Sequence, residues 1–454
     1  MFKKIEIWIL YLTILLSMLF AIGFGVLVRQ ELVGSVKAGW VSKTALTLAE
    51  IPMNLKGVFL SSLVVEDRFP TLDGFYGTSN SEESYLLLSR YDGDLKEGVV
   101  ELIDLRNFEI LHTWNPDIDA FNNLVEQVDE FKYLERDLNN KRHMLYHPAI
   151  SKKGNLIFLA DKAPLRIIDQ CSNLVTQNSH DNFHHSIEID KTGNIWTATH
   201  MFPQSLPDEK VGRDIVQEGG YFDDAIVKLS PNGEILFEKS ISKLLIENGM
   251  ETRLSMVGTN HEFQLDPIHI NDVQPVNFDG KFWKKGDVFI SLGHQSMIIL
   301  YRPSTNEILW KYDTNIFHQH DVDIINDHQI AIFNNNRKYF YNTSYIVDGN
   351  NEVLIYNFKT KEMSSYLPES LSREDVRTVS EGRSEILPNG DLFIEESNFS
   401  RTLYFNKDGA LRWTHVNRAK NGNVYRVAWS RIMYTQEDIQ TVNYLLTNKI
   451  KCNE

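Results

Sequence analysis

The sequence predicts an all-β chain, a six-bladed β-propeller behind an N-terminal transmembrane helix. Three observations predict it. One strand–turn–strand unit recurs through most of the 454 residues. Its strands alternate apolar and polar residues and meet at Asn-Gly and Asp-Gly turns, which are strong hairpin signals. A single uncharged apolar run stands near the N-terminus.

That run, Ile7 to Val28, carries no charge. Twenty-two residues at 1.5 Å each reach about 33 Å as a helix, enough for a bilayer core. Lys3 and Lys4 precede it and favour an exported body. Arg29, Lys37 and Lys43 on the other flank weaken that bias. A signal peptide is the competing reading, but its apolar region is shorter and ends at a small-residue site. Here Arg29-Gln30-Glu31 follows instead. The expected organisation is therefore an anchor over 1–30 and a juxtamembrane segment over 31–70. Leu32, Val36, Trp40, Ala45 and Leu48 give that segment the choice of an interfacial helix or a stalk. The propeller is expected over 71–437, with a helical insertion near 118–143, and a C-terminal tail over 438–454.

The repeat has two halves. The first is a Gly followed by an apolar strand: Gly154-Asn-Leu-Ile-Phe-Leu, Gly193-Asn-Ile-Trp-Thr, Gly286-Asp-Val-Phe-Ile and Gly390-Asp-Leu-Phe-Ile. Gln329-Ile-Ala-Ile-Phe fills the slot without Gly. The second is a hairpin, as in Ala225 to Phe237, Met297 to Trp310, Val353 to Met363 and Thr402 to Trp413. Such a sheet cannot bury both faces alone, so neighbouring blades must cover it. Blade starts are expected near 76, 147, 185, 269, 320 and 383, with Val424 to Tyr434 closing the ring. Trp196, Trp310 and Trp413 read as packing between blades. A multi-sheet sandwich is the alternative fold.

Histidines mark the start of the first strand in four repeats: His147, His185, His269 and His320, with Arg383 in the same slot of the last. His147 and Arg383 each stand seven residues before the repeat Gly. Equivalent positions of a propeller converge on its axis, so these side chains are expected to meet. Imidazoles suit zinc or copper, with Asp272 and Asp321 near enough to complete a shell. They equally suit anion chemistry, where a neutral His attacks a sulfate- or phosphate-like group held by cationic donors. His112, His143, His180, His200, His328 and His415 fall outside the slot and read as ordinary; His261 lies on a loop.

Composition excludes several classes. Lys+Arg 46 against Asp+Glu 61 gives a net charge of −15, which argues against nucleic acid as a partner. Cys171 and Cys452 are the two cysteines, so no zinc-type Cys spacing exists. A disulfide and two free thiols both fit. There is no Gly-rich phosphate loop, Ser-His-Asp motif or HExxH. Asn342-Thr-Ser and Asn398-Phe-Ser match the glycosylation pattern and read as incidental.

The order of Phe183-His-His-Ser-Ile-Glu-Ile, His269-Ile-Asn-Asp-Val, Ser291-Leu-Gly-His-Gln-Ser-Met, Gln319-His-Asp-Val-Asp, Phe333-Asn-Asn-Asn and Leu387-Pro-Asn-Gly-Asp resembles the arylsulfotransferase family, the PAPS-independent bacterial aryl-sulfate sulfotransferases. The resemblance covers roughly residues 140–415. It implies ping-pong sulfuryl transfer from an aryl sulfate to a phenol through a sulfohistidine. It implies no cofactor and no metal. His320, His185 and His269 are then the expected catalytic residues, with His184, His147, His294, Asn334 and Arg383 binding substrate. The family usually has Arg where Gly293 stands; Arg383, Arg337 or His294 are the candidates to compensate. The expected protein is a single-pass membrane enzyme with its body on the periplasmic or extracellular side. A non-catalytic envelope propeller and a metal-dependent enzyme using the same histidines are the other readings.

Overall fold

A computed structural model of the chain describes residues 6–32, 39–59, 63–126, 128–131, 133–206, 221–254, 266–338, 346–448 and 452. Lys3, Lys4, Val36, Lys37, His261 and the Asn342 sequon lie outside them. The chain divides into two units, Met1–Ser62 and Leu63–Glu454.

The first unit holds two helices, α1 (Ile7–Leu32) and α2 (Trp40–Phe59). Helix α1 is apolar on every side and exposes Ile7, Trp8, Leu16, Phe20 and Ile22 alike. The Thr13 hydroxyl donates back to the Ile9 carbonyl at 2.8 Å. Such a helix has no face to turn toward water, and Ile7–Gln30 is long and apolar enough to cross a membrane.

The second unit is an all-β propeller of antiparallel sheets. Middle strands such as Val288–Leu292 and Leu392–Glu396 are buried at every residue, because sheets cover both of their faces. Outer strands alternate, as Glu307–Tyr312 does. Side chains of adjacent sheets fill the space between them: Ala198 and Ile226 meet Val273, Ile290 and Ile299, and Trp283 and Phe289 meet Ile330, Tyr356 and Phe358. The hairpin turns follow from local chemistry. In Asp190-Lys-Thr-Gly-Asn, the Asp190 carboxylate accepts the Thr192 and Asn194 amides at 2.8 and 3.0 Å. Gly193 takes φ +86°, a conformation that costs glycine nothing.

Six strands gather about one axis: β1 (Tyr146–Ile150), β2 (Leu174–Ile189), β3 (Ile270–Pro275), β4 (Val322–Ile324), β5 (Arg383–Ile386) and β6 (Arg431–Met433); all but β2 stand at the edge of their sheet. Side chains staple one to the next: the Val273 amide donates to Ser186 (2.9 Å), Val322 to Asp272 (3.0 Å) and Ser384 to Asp321 (3.0 Å).

The expectation of six separate blades needs correction. Four sheets, of five, four, four and four strands, stand as discrete blades. The repeats at His147 and His185 merge into one seven-stranded sheet. The 16-residue strand β2 is the reason: its first part pairs with Ala163–Ile168 and its last part with Ile195–His200. Nor does a blade start near 76. Gly74–Gly77 is the outer strand of the last sheet, against Leu411–Val416. Both termini of the unit are thus knitted in, since β6 pairs with Tyr85–Leu87.

Residues 118–143 carry two short helices, Ile118–Asn122 and Leu134–Asp137. Residues 436–447 form a helix capped by Thr435 and Asp438, whose Val442 and Leu445 pack on Leu156 and Phe158. Cys171 and Cys452 form a disulfide with Cα atoms 5.3 Å apart.

Candidate active site

The six axial strands share a device where they approach the axis. A non-glycine residue in the left-handed region sits within or just ahead of each: His147 (φ +52°), His185 (+57°), His269 (+53°), His318 (+56°), Glu381 (+62°) and Trp429 (+57°). Register shifts mark β-bulges at Tyr146/Ala149, His184/Ile187 and Ile270/Asp272. A bulge re-aims a side chain, and a left-handed non-glycine residue costs about 1–3 kcal/mol, which is typically stored at functional sites.

All six of these residues line one cavity of about 310 Å³, together with Tyr146, Asp161, His294, His320, Arg337 and Arg426. Six imidazoles form a connected cluster there. Ring centroids lie 4.7 Å apart for His185 and His269, 4.4 Å for His269 and His294, 5.3 Å for His294 and His318, and 5.6 Å for His318 and His320. His147 packs edge-on to Trp429 at 4.2 Å.

Their environments differ. His269 Nδ1 meets Asp266 Oδ2 at 2.5 Å. Burial works against its charged form, but the Asp266 hydrogen bond and charge outweigh this and raise its pKa. His294 Nδ1 donates to the Asp266 carbonyl at 2.6 Å. Burial and the neighbouring His269 lower the pKa of His294. His320 is held at both nitrogens: Nδ1 donates to Asn335 Oδ1 at 2.7 Å, and Nε2 accepts the Glu381 amide at 2.8 Å. Burial drives its pKa down to about 3, so it is neutral at any ordinary pH. His185 and His147 are likewise pushed well below the usual range, first by burial. Arg337 Nη1 donates to His318 Nε2 at 3.2 Å. Arg426 pairs with Glu381 at 3.4 Å and donates to the Tyr146 hydroxyl at 3.2 Å. Burial takes that phenol up to about 12.

Of the residues expected from the sequence, His147, His185, His269, His294 and His320 come together in the cavity. His184, Asn334 and Arg383 do not. His184 lies behind the wall, its Nδ1 2.6 Å from His185 Nδ1. Asn334 accepts the Phe317 amide and donates to Glu352, both at 2.8 Å; its neighbour Asn335 holds His320. Arg383 is buried between Asp321 (3.8 Å) and Glu385 (3.5 Å), with Trp429 5.6 Å away. Asp272 and Asp321 accept backbone amides of the next strand and belong to none of the His and carboxylate groups, among the described residues, that stand close enough together to hold a metal ion. The Asn398 side chain is tied into its own loop: its oxygen accepts the Val379 and Ser380 amides and its Nδ2 donates to the Ser380 hydroxyl at 3.2 Å. His200 stacks on His184, ring centroids 4.2 Å apart.

His318, Tyr146, Asp161, Asp266, Glu381 and Arg426 went unrecognised. The Asp266-x-x-His269 spacing and the His318-x-His320 pair were legible signals. Arg337 does reach the cavity. At Gly293, a Cβ would sit 2.3 Å from Nδ2 of Asn271, whose amide donates to the Gln319 carbonyl at 2.7 Å. A longer side chain at Gly293 would therefore have to displace the Asn271 amide.

A family model described as arylsulfotransferase (ASST) matches residues 147–418. No curated protein matches. Among solved structures, a protein of unknown function from Bacteroides caccae is 12% identical, covering 76% of this chain and 98% of its own, with a TM-score of 0.46. The Pan2 WD40 domain of Neurospora crassa is 9% identical, covering 75% and 89%, with a TM-score of 0.38. The WD40 propeller domain of Doa1 is 10% identical, covering 84% and 99%, also at 0.38.

Proposed function

The chain belongs to the arylsulfotransferase family, and we propose that it moves a sulfuryl group from an aryl sulfate to a phenol through a sulfohistidine on His320. One observation supports this above the others. Two imidazoles of one cavity are pushed to opposite protonation states, His320 neutral and His269 toward its cation. Groups with separated pKa values take separate acid and base roles.

In the first half-reaction His320 Nε2 attacks sulfur while Nδ1 keeps its proton on Asn335. The N–S bond forms and the S–O bond to the aryl group breaks. The departing phenoxide takes its electron pair and a proton from the His269 imidazolium. In the second half, the acceptor phenol returns a proton to His269 as its oxygen attacks sulfur, and His320 leaves. The Glu381 amide must move off Nε2 for the first step, and can then donate to a sulfuryl oxygen. Arg337 and Arg426 supply the fixed positive charge that the sulfuryl oxygens need, in place of an Arg at Gly293. His185 and His147 present further ring nitrogens to the substrate.

We place residues 1–30 as a single-pass anchor, 31–70 as a juxtamembrane segment, 71–437 as the catalytic propeller and 438–454 as its C-terminal extension. The Cys171–Cys452 disulfide supports a body on the oxidising side of the membrane.

The bond from the Glu381 amide to His320 Nε2 favours a second reading, a non-catalytic propeller of the envelope, because it occupies the nucleophilic lone pair. Intact mass after incubation with a phenyl sulfate decides between them. Transfer adds one sulfuryl group to the wild type and none to His320→Ala; an unmodified wild type leaves the binding propeller.

A further inference from the structure

Behind the cavity wall three side chains converge that sulfuryl transfer does not use. His184 sits on β2. His200 ends the adjacent strand Ile195–His200, and Asp224 opens the next, Asp224–Leu229. The register sets Asp224 directly opposite His200, and His200 opposite Asn182, two residues before His184. Directly opposed and diagonal residues of antiparallel strands share one face within side-chain reach.

The result is a closed triad. Asp224 Oδ1 lies 3.1 Å from His200 Nε2 and 3.3 Å from His184 Nε2. The two rings stack at 4.2 Å. Side-chain exposure is 1% for His184, 10% for His200 and 0% for Asp224. Despite these distances none of the three atoms makes a directed hydrogen bond among the described residues. Three buried polar atoms this close together, none with a directed hydrogen bond, are costly without an occupant.

The remaining atoms are mostly anchored. Asp224 Oδ2 accepts the Ile270 amide at 2.7 Å, which leaves Oδ1 alone to face the imidazoles. His184 Nδ1 is engaged by His185 Nδ1 at 2.6 Å. Outer hydrogen bonds of this kind orient metal ligands and fix their tautomers.

We propose that His184 Nε2, His200 Nε2 and Asp224 Oδ1 bind a transition metal ion of the zinc class. Two imidazoles and one carboxylate suit zinc rather than calcium or magnesium, which take oxygen shells. Ligands at about 2.0–2.2 Å from a tetrahedral ion stand roughly as far from one another as these atoms do. The site also has a consequence for the cavity. Metal on His184 Nε2 places the ring proton on Nδ1, which donates to His185 Nδ1. His185 then carries its own proton on Nε2, as a donor to an anionic substrate. The site itself does not depend on the sulfuryl reading.

The test uses the full chain, stripped with a chelator and titrated with Co²⁺ alone, then with Zn²⁺ alone. Expected are about one ion per chain, a visible Co²⁺ spectrum of tetrahedral type displaced by Zn²⁺, and a melting temperature raised by Zn²⁺. His200→Ala and Asp224→Asn should each lose the spectrum and the shift, with near-ultraviolet circular dichroism reporting whether they fold. His294→Ala should keep both, because the Asp266–His269–His294 group is the competing cluster. A wild type with no Co²⁺ spectrum and no Zn²⁺ shift overturns the proposal, and needs no variant. A spectrum lost in His294→Ala but kept in His200→Ala overturns it equally.

Discussion

The two ends of the six axial strands are both buried and both rich in titratable groups, yet they are built for different work. Where β1 to β4 approach the axis they present imidazoles: His147, His185, His269, and the His318–His320 pair. Further along come carboxylates: Asp272, Asp321, Asp323, Glu188 and Glu385, with Arg383 and Arg431 among them. A second cavity of about 310 Å³ opens at that far end, lined by Glu188, Glu385 and Arg431. Two of these carboxylates spend oxygens on backbone, while Glu188 pairs with Arg431 and Glu385 with Arg383. Asp272 and Asp321 accept amides of the following strand, and Glu395 accepts those of Trp429 and Ser430, each at 2.7 Å. Most imidazoles instead bond to side chains or to one another and face open space. Burial acts on both sets, lowering the imidazoles and raising Asp321 to about 6. Partners, not burial, separate a staple from a reactive group.

The largest expected effect breaks the histidine end. His320→Ala should cut turnover by at least about 1,000-fold, because an attacking residue has no substitute. The melting temperature should move little. Steady-state turnover of a phenyl sulfate measures the first and a thermal melt the second. Near-normal turnover would move the sulfuryl group to another histidine.

At the carboxylate end the pattern should reverse. Asp321→Ala removes the Ser384 amide's acceptor and a buried partner of Arg383. Breaking one side of a buried ion pair costs about 3–5 kcal/mol. Denaturant unfolding should show that loss, whereas KM for the aryl sulfate should hold in protein that remains folded. A stable Asp321→Ala with altered KM would erase the distinction between the two ends.

A pH profile sharpens the comparison within the histidine end. His269 has a raised pKa, so its proton is in place at low pH and is lost as pH rises through that pKa, above the ordinary 6.5. Asp266, Asp224, Asp161, His185 and His294 face it. Turnover should fall along that limb. His269→Asn should lose about 100-fold and flatten the limb. His320 lies too low, at about 3, to add a second limb in the working range. The same sign holds for stability: the His269–Asp266 pair contributes below pH 6.5 and fades above its folded pKa.

The propeller and three of the histidine positions were legible in the sequence because they follow local rules. Apolar periodicity and Asp-Gly turns mark strands, and His147, His185 and His269 sit at bulges that the repeat preserves. Counting failed at the next two repeats. The left-handed positions there are His318 and Glu381, each two residues before the expected His320 and Arg383. Bulges and entry loops of different length shift the count without leaving a sequence mark. His320 still reaches the cavity, because Asn335 and the Glu381 amide pull it in; Arg383 turns into the carboxylates instead. The staples were illegible for another reason. Asp224 reaches 46 residues ahead, Asp272 50 and Asp321 63, distances over which one sequence records no pairing. The merger of two repeats along β2 was hidden likewise, since polar Gln177 to His180 lie inside the strand with nothing in their sequence to mark it.

The smallest effect probes the seam between the ends, at Gly293. Its amide donates to the His269 carbonyl at 2.8 Å, and its missing Cβ makes room for Asn271. Asn271 in turn holds the Gln319 carbonyl, one residue before His320. Gly293→Ala should therefore push on Asn271 and cost about 1–3 kcal/mol as overpacking. Because the displaced amide is tied to the chain carrying His320, turnover should fall modestly with it. Restoring the seam by Asn271→Ser in the same chain should recover part of both. If Gly293→Ala is neutral in unfolding and in turnover, Asn271 yields freely and the histidine end is positioned by the Asn335 and Glu381 hydrogen bonds alone.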